Sequence, residues 1–208
     1  MVRLLRKAGR AAGGGEVRLF ADLWPFGDLQ PHSFDFIMAD PPWTYRMYSE
    51  AGEAKSPQAQ YRTMSIDEIK ALPVLDLAAP DALLWLWAVN PMLPQALATM
   101  TAWGFTFKTA GTWLKTTKNG KINFGTGYIL RGSNEPFLIG TRGSPRTAKN
   151  VRSGFTGLIR SHSEKPEEGY RAAEKLMPKA TRLELFSRTY RNGWQSWGDE
   201  AGKLGEAA

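Results

Sequence analysis

A chain of 208 residues, 42% hydrophobic and 23% charged, is long enough to bury a core and is composed like one folded domain rather than a disordered chain. Its 27 Lys and Arg against 20 Asp and Glu leave a formal charge of +7, which favours a polyanionic partner. With no cysteine and two histidines, disulfide scaffolds, thiolate zinc sites and cysteine nucleophiles are excluded, and a histidine-rich metal centre nearly so. The longest apolar run, residues 82–89, is too short to span a membrane, and a cytoplasmic location is the expectation.

Residues 1–10 place Arg3, Arg6, Lys7 and Arg10 around Val2, Leu4 and Leu5, then meet Gly13-Gly14-Gly15. A flexible basic arm is expected over 1–15, a single domain over 16–201 and a tail over 202–208. Residues 34–39 are an apolar run closed by Asp40-Pro41-Pro42-Trp43, as a buried strand is. The small and polar residues of 44–60 read either as a lid or as a tolerated surface insertion, with the lid preferred. Ser65, Glu68 and apolar positions 66, 69 and 72 predict a capping-box helix over 65–72. A second buried strand is predicted over 82–89, and a helix over 94–103 with Pro94 in its first turn and Gly104 past its end. Strands follow at 109–115 and 136–140. A proline-started helix spans 166–177, with Glu167 and Glu168 at its positive end, and a last strand covers 182–187. Strands alternating with helices predict an α/β sandwich: a mostly parallel central sheet with helices on both faces and ligands off the strands' carboxyl ends. Trp85, Trp87 and Trp103 are assigned to the core, and His32 to an exposed loop.

The chemistry gathers at one such strand end. Asp40-Pro41-Pro42-Trp43 has a plain structural reading, a Pro-Pro turn with a surface aspartate and a packed tryptophan. It also has a chemical one. The exocyclic amine of a nucleobase is a poor nucleophile because its lone pair is delocalised into the ring. Two acceptors beside it, the Asp40 carboxylate and the Pro41 carbonyl, can hold both amino hydrogens and free that pair for attack. Pro41 and Pro42 pre-set the turn and are expected to leave the carbonyl unpaired, while Trp43 is expected to stack on an extruded base.

Asp40-Pro41-Pro42-Trp43 resembles the amino-methyltransferase motif in the form found in the MT-A70 family of N6-adenine methyltransferases. The resemblance continues in family order through Tyr61-Arg62-Thr63-Met64-Ser65, Leu84-Trp85-Leu86-Trp87, Thr112-Trp113-Leu114-Lys115 and Gly125-Thr126-Gly127-Tyr128. It extends through Asn134-Glu135-Pro136-Phe137, Arg160-Ser161-His162-Ser163-Glu164-Lys165-Pro166, Arg182-Leu183-Glu184-Leu185-Phe186-Ser187-Arg188 and Gly193-Trp194-Gln195-Ser196-Trp197-Gly198.

The resemblance implies a Rossmann-like methyltransferase fold and S-adenosylmethionine as methyl donor. Asp40 then lies by the donor's methionine portion, Asp22 and Leu23 by its adenosine end, and Lys165 reaches its carboxylate. Phe186 and Arg188 border ribose and adenine, with Asn192 as a hydroxyl partner. Asp199 and Glu200 stand where the eukaryotic members carry Asn-Gln, which keeps acceptors and loses donors. Tyr61, Arg131, Asn134, Glu135 and Arg160 frame the acceptor nucleotide. The implied activity is methylation of adenine N6 in nucleic acid, with DNA preferred. RNA, or a catalytically weak nucleic-acid-binding subunit of the same fold, is the alternative. Relatives that pair suggest a homodimer.

Two basic loops are expected to grip phosphates: Lys115, Lys118 and Lys121 around Asn119-Gly120, and Arg142, Arg146, Lys149 and Arg152 before Arg160. His162, a histidine without an orienting acid in the sequence, is assigned a structural role.

Overall fold

The computed structural model describes residues 24–44, 63–127, 129–160 and 164–198. The apolar run that follows Ser33 becomes strand β1 (Phe34–Ala39), which is buried on both faces. A register shift between Phe34 and Phe36 turns Phe34, Ile37 and Ala39 to one face and Phe36 and Met38 to the other. Helix α1 (Ile66–Ala71) starts at the expected capping box: Ser65 accepts from the Glu68 amide, and the Glu68 carboxylate accepts from the Ser65 amide at 2.8 Å. Next come β2 (Ala78–Trp87), α2 (Leu93–Ala102), β3 (Thr106–Thr116) and β4 (Asn134–Arg142). The chain closes with β5 (Gly154–Leu158), α3 (Glu167–Leu176), β6 (Arg182–Leu185) and β7 (Trp194–Trp197).

The seven strands form one sheet in the order β5-β3-β4-β2-β1-β6-β7. Only β4 runs against the others, so the mostly parallel sheet is as expected. On one face Ile69 of α1 and Ala96 and Met100 of α2 pack on Ile37, Leu84 and Leu86. On the other, Tyr170 and Ala173 of α3 pack against Phe36, Met38, Trp85 and Trp87, where Trp85 and Phe137 stack with centroids 3.9 Å apart. Helices thus cover both faces. Trp85, Trp87 and Trp103 are buried as expected.

Connectivity creates a crevice. From β1 the chain crosses to β2 on one side, and from β6 it crosses to β7 on the other, while β1 and β6 lie side by side in parallel. Loops leaving their carboxyl ends therefore diverge, which is the switch point where open α/β sheets hold ligands. The reversed β4 starts at this rim with Asn134 and ends at the opposite edge with Arg142, which pairs with Ala82 at the sheet's far end.

That reversal corrects one expectation. The second basic loop, which begins at Arg142, leaves the sheet at the end opposite Asp40, not beside it. Arg142 itself is an internal clamp, its guanidinium donating to the carbonyls of Leu75 and Ala78 at 2.9 Å. Ala148 is tied by its amide to Leu176 at the far end of α3.

Candidate active site

Asp40 follows directly on β1, its amide donating to the Leu185 carbonyl at 3.3 Å, so β6 fixes where the acid leaves the sheet. Opposite it, Phe186 turns the chain out of β6 with φ +64°, a left-handed conformation that an aromatic residue adopts only under constraint. The constraint is visible: Ser187 donates its amide to Trp197 of β7 at 3.0 Å, and the Phe186 ring packs edge-on against Trp197 at 5.6 Å. Between these two strand ends lies a cleft lined by Asp40, Glu164, Lys165, Tyr170, Glu184, Phe186, Arg188 and Thr189.

Lys165 stands just ahead of α3 and is almost fully buried. Its Nζ is 2.7 Å from Asp40 Oδ2 and 2.7 Å from Glu135 Oε1, while Glu135 Oε2 is 2.7 Å from Lys115 Nζ. Two anions and two cations thus form a neutral chain from β1 to β3. Burial would lower Lys165, but Asp40 and Glu135 together hold it above the usual lysine range. Burial would raise Glu135, yet Lys165 and Lys115 pull it down to about 2. At Asp40 burial prevails: its carboxyl is raised, opposed by Lys165 and helped by the charge of Glu135. The shared ammonium favours Glu135, which has a second cation of its own.

Beneath the cleft a buried acid was not anticipated. Glu184 interrupts the apolar residues of β6 and accepts the Tyr170 hydroxyl at 2.6 Å, with Ser187 Oγ 3.0 Å from its other oxygen. Burial raises Glu184, against those two hydrogen bonds. Tyr170 is raised far above its ordinary value by burial and by Glu184. A charged residue inside Leu183-Glu184-Leu185 was the signal for it.

Other expected site residues fall as follows. Pro41 and Pro42 form the turn, but the Pro41 carbonyl is not unpaired: it accepts the Trp43 amide at 2.7 Å, leaving one lone pair. Trp43 is 3% exposed, and its indole N–H donates to the Trp87 carbonyl at 3.2 Å. The ring supports the turn from beneath instead of offering an open stacking face. Arg188 lines the cleft, and its charge reaches Asp40. Asn192 does not line it: it is exposed two residues before Trp194, which pairs with Arg182 at the amino end of β6, away from the rim.

Lys115 is committed to Glu135 rather than free for a phosphate, and it sits 4.8 Å over the Trp113 ring. Asn134 donates to Thr112 at 2.8 Å at the start of β4. Arg160 pairs with Glu164 at 2.7 Å on the cleft's border. Arg131 lies 4.9 Å over the Phe124 ring in the β3–β4 connection. Asp22, Leu23, Tyr61, Asp199, Glu200, His162 and the expected lid after Thr44 lie outside the described residues.

The MT-A70 family model matches residues 34–200. An N(6)-adenosine-methyltransferase MT-A70-like protein of Arabidopsis thaliana is 32% identical over 173 residues, 81% of this chain and 24% of its own length. The human N(6)-adenosine-methyltransferase catalytic subunit METTL3 is 30% identical over 83% of this chain and 30% of its own length. Type II methyltransferase M.MunI of Mycoplasma sp is 29% identical over 84% of this chain and 81% of its own. The chain therefore spans about a quarter to a third of these adenosine methyltransferases and most of the type II protein. With a family match that runs from the first strand of the sheet past the last, the chain belongs to the MT-A70 family.

Proposed function

We propose that the protein is an S-adenosylmethionine-dependent methyltransferase that modifies the N6 amino group of adenine in nucleic acid, with DNA its preferred polymer. The observation that carries this is Asp40 in the cleft at the switch point, followed by a proline turn whose Pro41 carbonyl keeps one lone pair. Similarity to the type II methyltransferase, at 29% identity over 84% of this chain, is what favours DNA in this reading.

The residues present fit the donor. Its methionine end bears an ammonium and a carboxylate. The cleft offers Asp40 to the first, and Lys165 and Arg188 to the second. Glu184 keeps its own partners in Tyr170 and Ser187 and shapes the floor. When bound, S-adenosylmethionine supplies an electrophilic methyl on a positive sulfur.

This chain's own residues do the rest. Asp40 accepts one N6 hydrogen and the Pro41 carbonyl the other, which orients the lone pair in line with the methyl. The bound donor would supply the methyl carbon to that lone pair and keep the electrons of its S–C bond on sulfur, and N6 would then shed a proton. The raised Asp40 carboxyl is suited to take that proton before passing it to water.

The test is to incubate the protein with labelled donor and DNA or RNA, digest the polymer, and look for N6-methylated adenine nucleosides. Label in DNA supports the full reading, label in RNA alone overturns the DNA preference, and none in either overturns the activity. Asp40→Asn should keep the fold and lose transfer; a variant with wild-type turnover would remove Asp40 from the mechanism.

A further inference from the structure

Lys115 belongs to the buried charge chain but does not line the cleft. Its place is nevertheless fixed. Within β3 its amide donates to the Ser133 carbonyl and its own carbonyl accepts from Asn123, both at 2.8 Å. Glu135 lies opposite Trp113 in the β3–β4 register, so Lys115, two residues on, shares that face and meets Glu135 diagonally. The ammonium sits 4.8 Å over the Trp113 ring, and that indole is held in turn by its N–H to the Gly157 carbonyl at 2.9 Å. To take a phosphate, Lys115 would have to surrender a carboxylate 2.7 Å away.

Its influence runs inward. Glu135 divides its oxygens, Oε2 to Lys115 and Oε1 to Lys165, and Lys165 divides its ammonium between Glu135 and Asp40. Without Lys115, Lys165 would be the one ionic partner of Glu135 among the described residues, and Asp40 would compete with an undivided charge for it. Arg188 is the other cation acting on Asp40. Glu164, Glu184 and Tyr170 border the same cleft, and none of them supplies a positive charge.

We propose that Lys115 is a positioning residue for methyl transfer: by occupying one oxygen of Glu135 it keeps the Lys165 ammonium on Asp40, which then meets the adenine amino group as a carboxylate. This role rests on the proposed function and extends it to a residue that touches neither ligand. A carboxylate accepts an N6 hydrogen through either oxygen, whereas a protonated acid turns a donor toward it.

The test is the pH profile of kcat/KM, which reports the free enzyme. Lys115→Met should move the acid limb up by at least about half a pH unit, a loss of about threefold or more on the limb, with the alkaline plateau within about threefold of wild type. Lys115→Gln should do the same, which keeps the test open if the Met variant does not fold. Lys115→Arg should return the limb toward its wild-type place. Added to Glu135→Gln, Lys115→Met should move the limb no further, since its path to Asp40 is already cut. The slope of log Kd for DNA on log salt should match wild type.

An unmoved limb, or a loss equal at every pH, would overturn the proposal. So would a salt slope flattened by about one charge, which would assign Lys115 to a phosphate. If wild type methylates no polymer, the proposed function falls. Carbon NMR of the Asp40 carboxyl, identified by its absence from Asp40→Asn, then decides the role of Lys115: a midpoint raised in Lys115→Met supports it, and an unchanged one overturns it.

Discussion

Glu135→Gln removes one of the two carboxylates that share Lys165 and the sole carboxylate within bonding distance of Lys115 among the described residues. The native carboxyl is held at about 2 against an ordinary 4.5, and its side chain is 12% exposed, so solvent screens the interaction little. At about 1.4 kcal/mol per tenfold, that gap corresponds to about 3 kcal/mol of stability. The sign follows from the depressed value. The contribution is complete above the unfolded value of 4.5 and is lost as pH falls toward 2. Asp40 drifts the other way, since a raised carboxyl favours the fold as pH falls, and the variant drifts less because the charge of Glu135 is one cause of that raise.

The assay is urea unfolding followed by tryptophan fluorescence at pH 7, 5, 4 and 3. The variant should be less stable by about 3 kcal/mol at pH 7, with the gap shrinking to about 1–2 kcal/mol by pH 3 as Glu135 takes up its proton in the unfolded wild type. A gap that stays constant from pH 7 to 3, or no gap at pH 7, would refute the reasoning.

Three further outcomes are expected. The acid limb of kcat/KM should lie above the 3.8 of an ordinary aspartate, because burial raises Asp40 and the protonated acid no longer accepts from N6; a limb at or below 3.8 counts against it. Lys118→Ala and Lys121→Ala should each flatten the salt dependence of polymer binding by about one charge, measured as the slope of log Kd on log salt. Lys149→Ala and Arg152→Ala, in the loop that starts at the far end of the sheet, should leave that slope unchanged. Gly111→Ala would put a carbon 2.1 Å from the Phe137 ring and 2.4 Å from the Ser153 carbonyl. Such overpacking should destabilise by about 1–3 kcal/mol or more, read as a lower Tm.

What the sequence discloses depends on how local the cause is. The capping box at Ser65, the buried runs of β1 and β2 and the proline start of α3 are written within a few residues each, and their structures agree. The edge strands β5 and β7 escaped notice because four or five residues with glycines or polar positions carry too little periodicity. Asp40 and Lys165 could be singled out by motif, but not their pairing across 125 positions. Nor could the commitment of Lys115 to Glu135, since adjacency across β3 and β4 belongs to register. The wrong side assigned to the Arg142 loop has the same origin: one reversed strand moves a segment to the other end of the molecule without any mark in its composition. Asn192 is implied only by the resemblance, and the turn before β7 carries it away from the cleft.

The balanced quartet of Lys115, Glu135, Lys165 and Asp40 has a consequence for how two ligands compete with dissolved ions. A ligand end that bears both an ammonium and a carboxylate exchanges counter-ions already in place, so the net electrostatic change at the quartet is small and its affinity should depend only weakly on ionic strength. A polymer laid across Lys118 and Lys121 between β3 and β4 sheds bound cations as it docks and is released as they become plentiful. Sodium chloride therefore separates the two equilibria, letting the small-molecule half of the encounter be titrated alone.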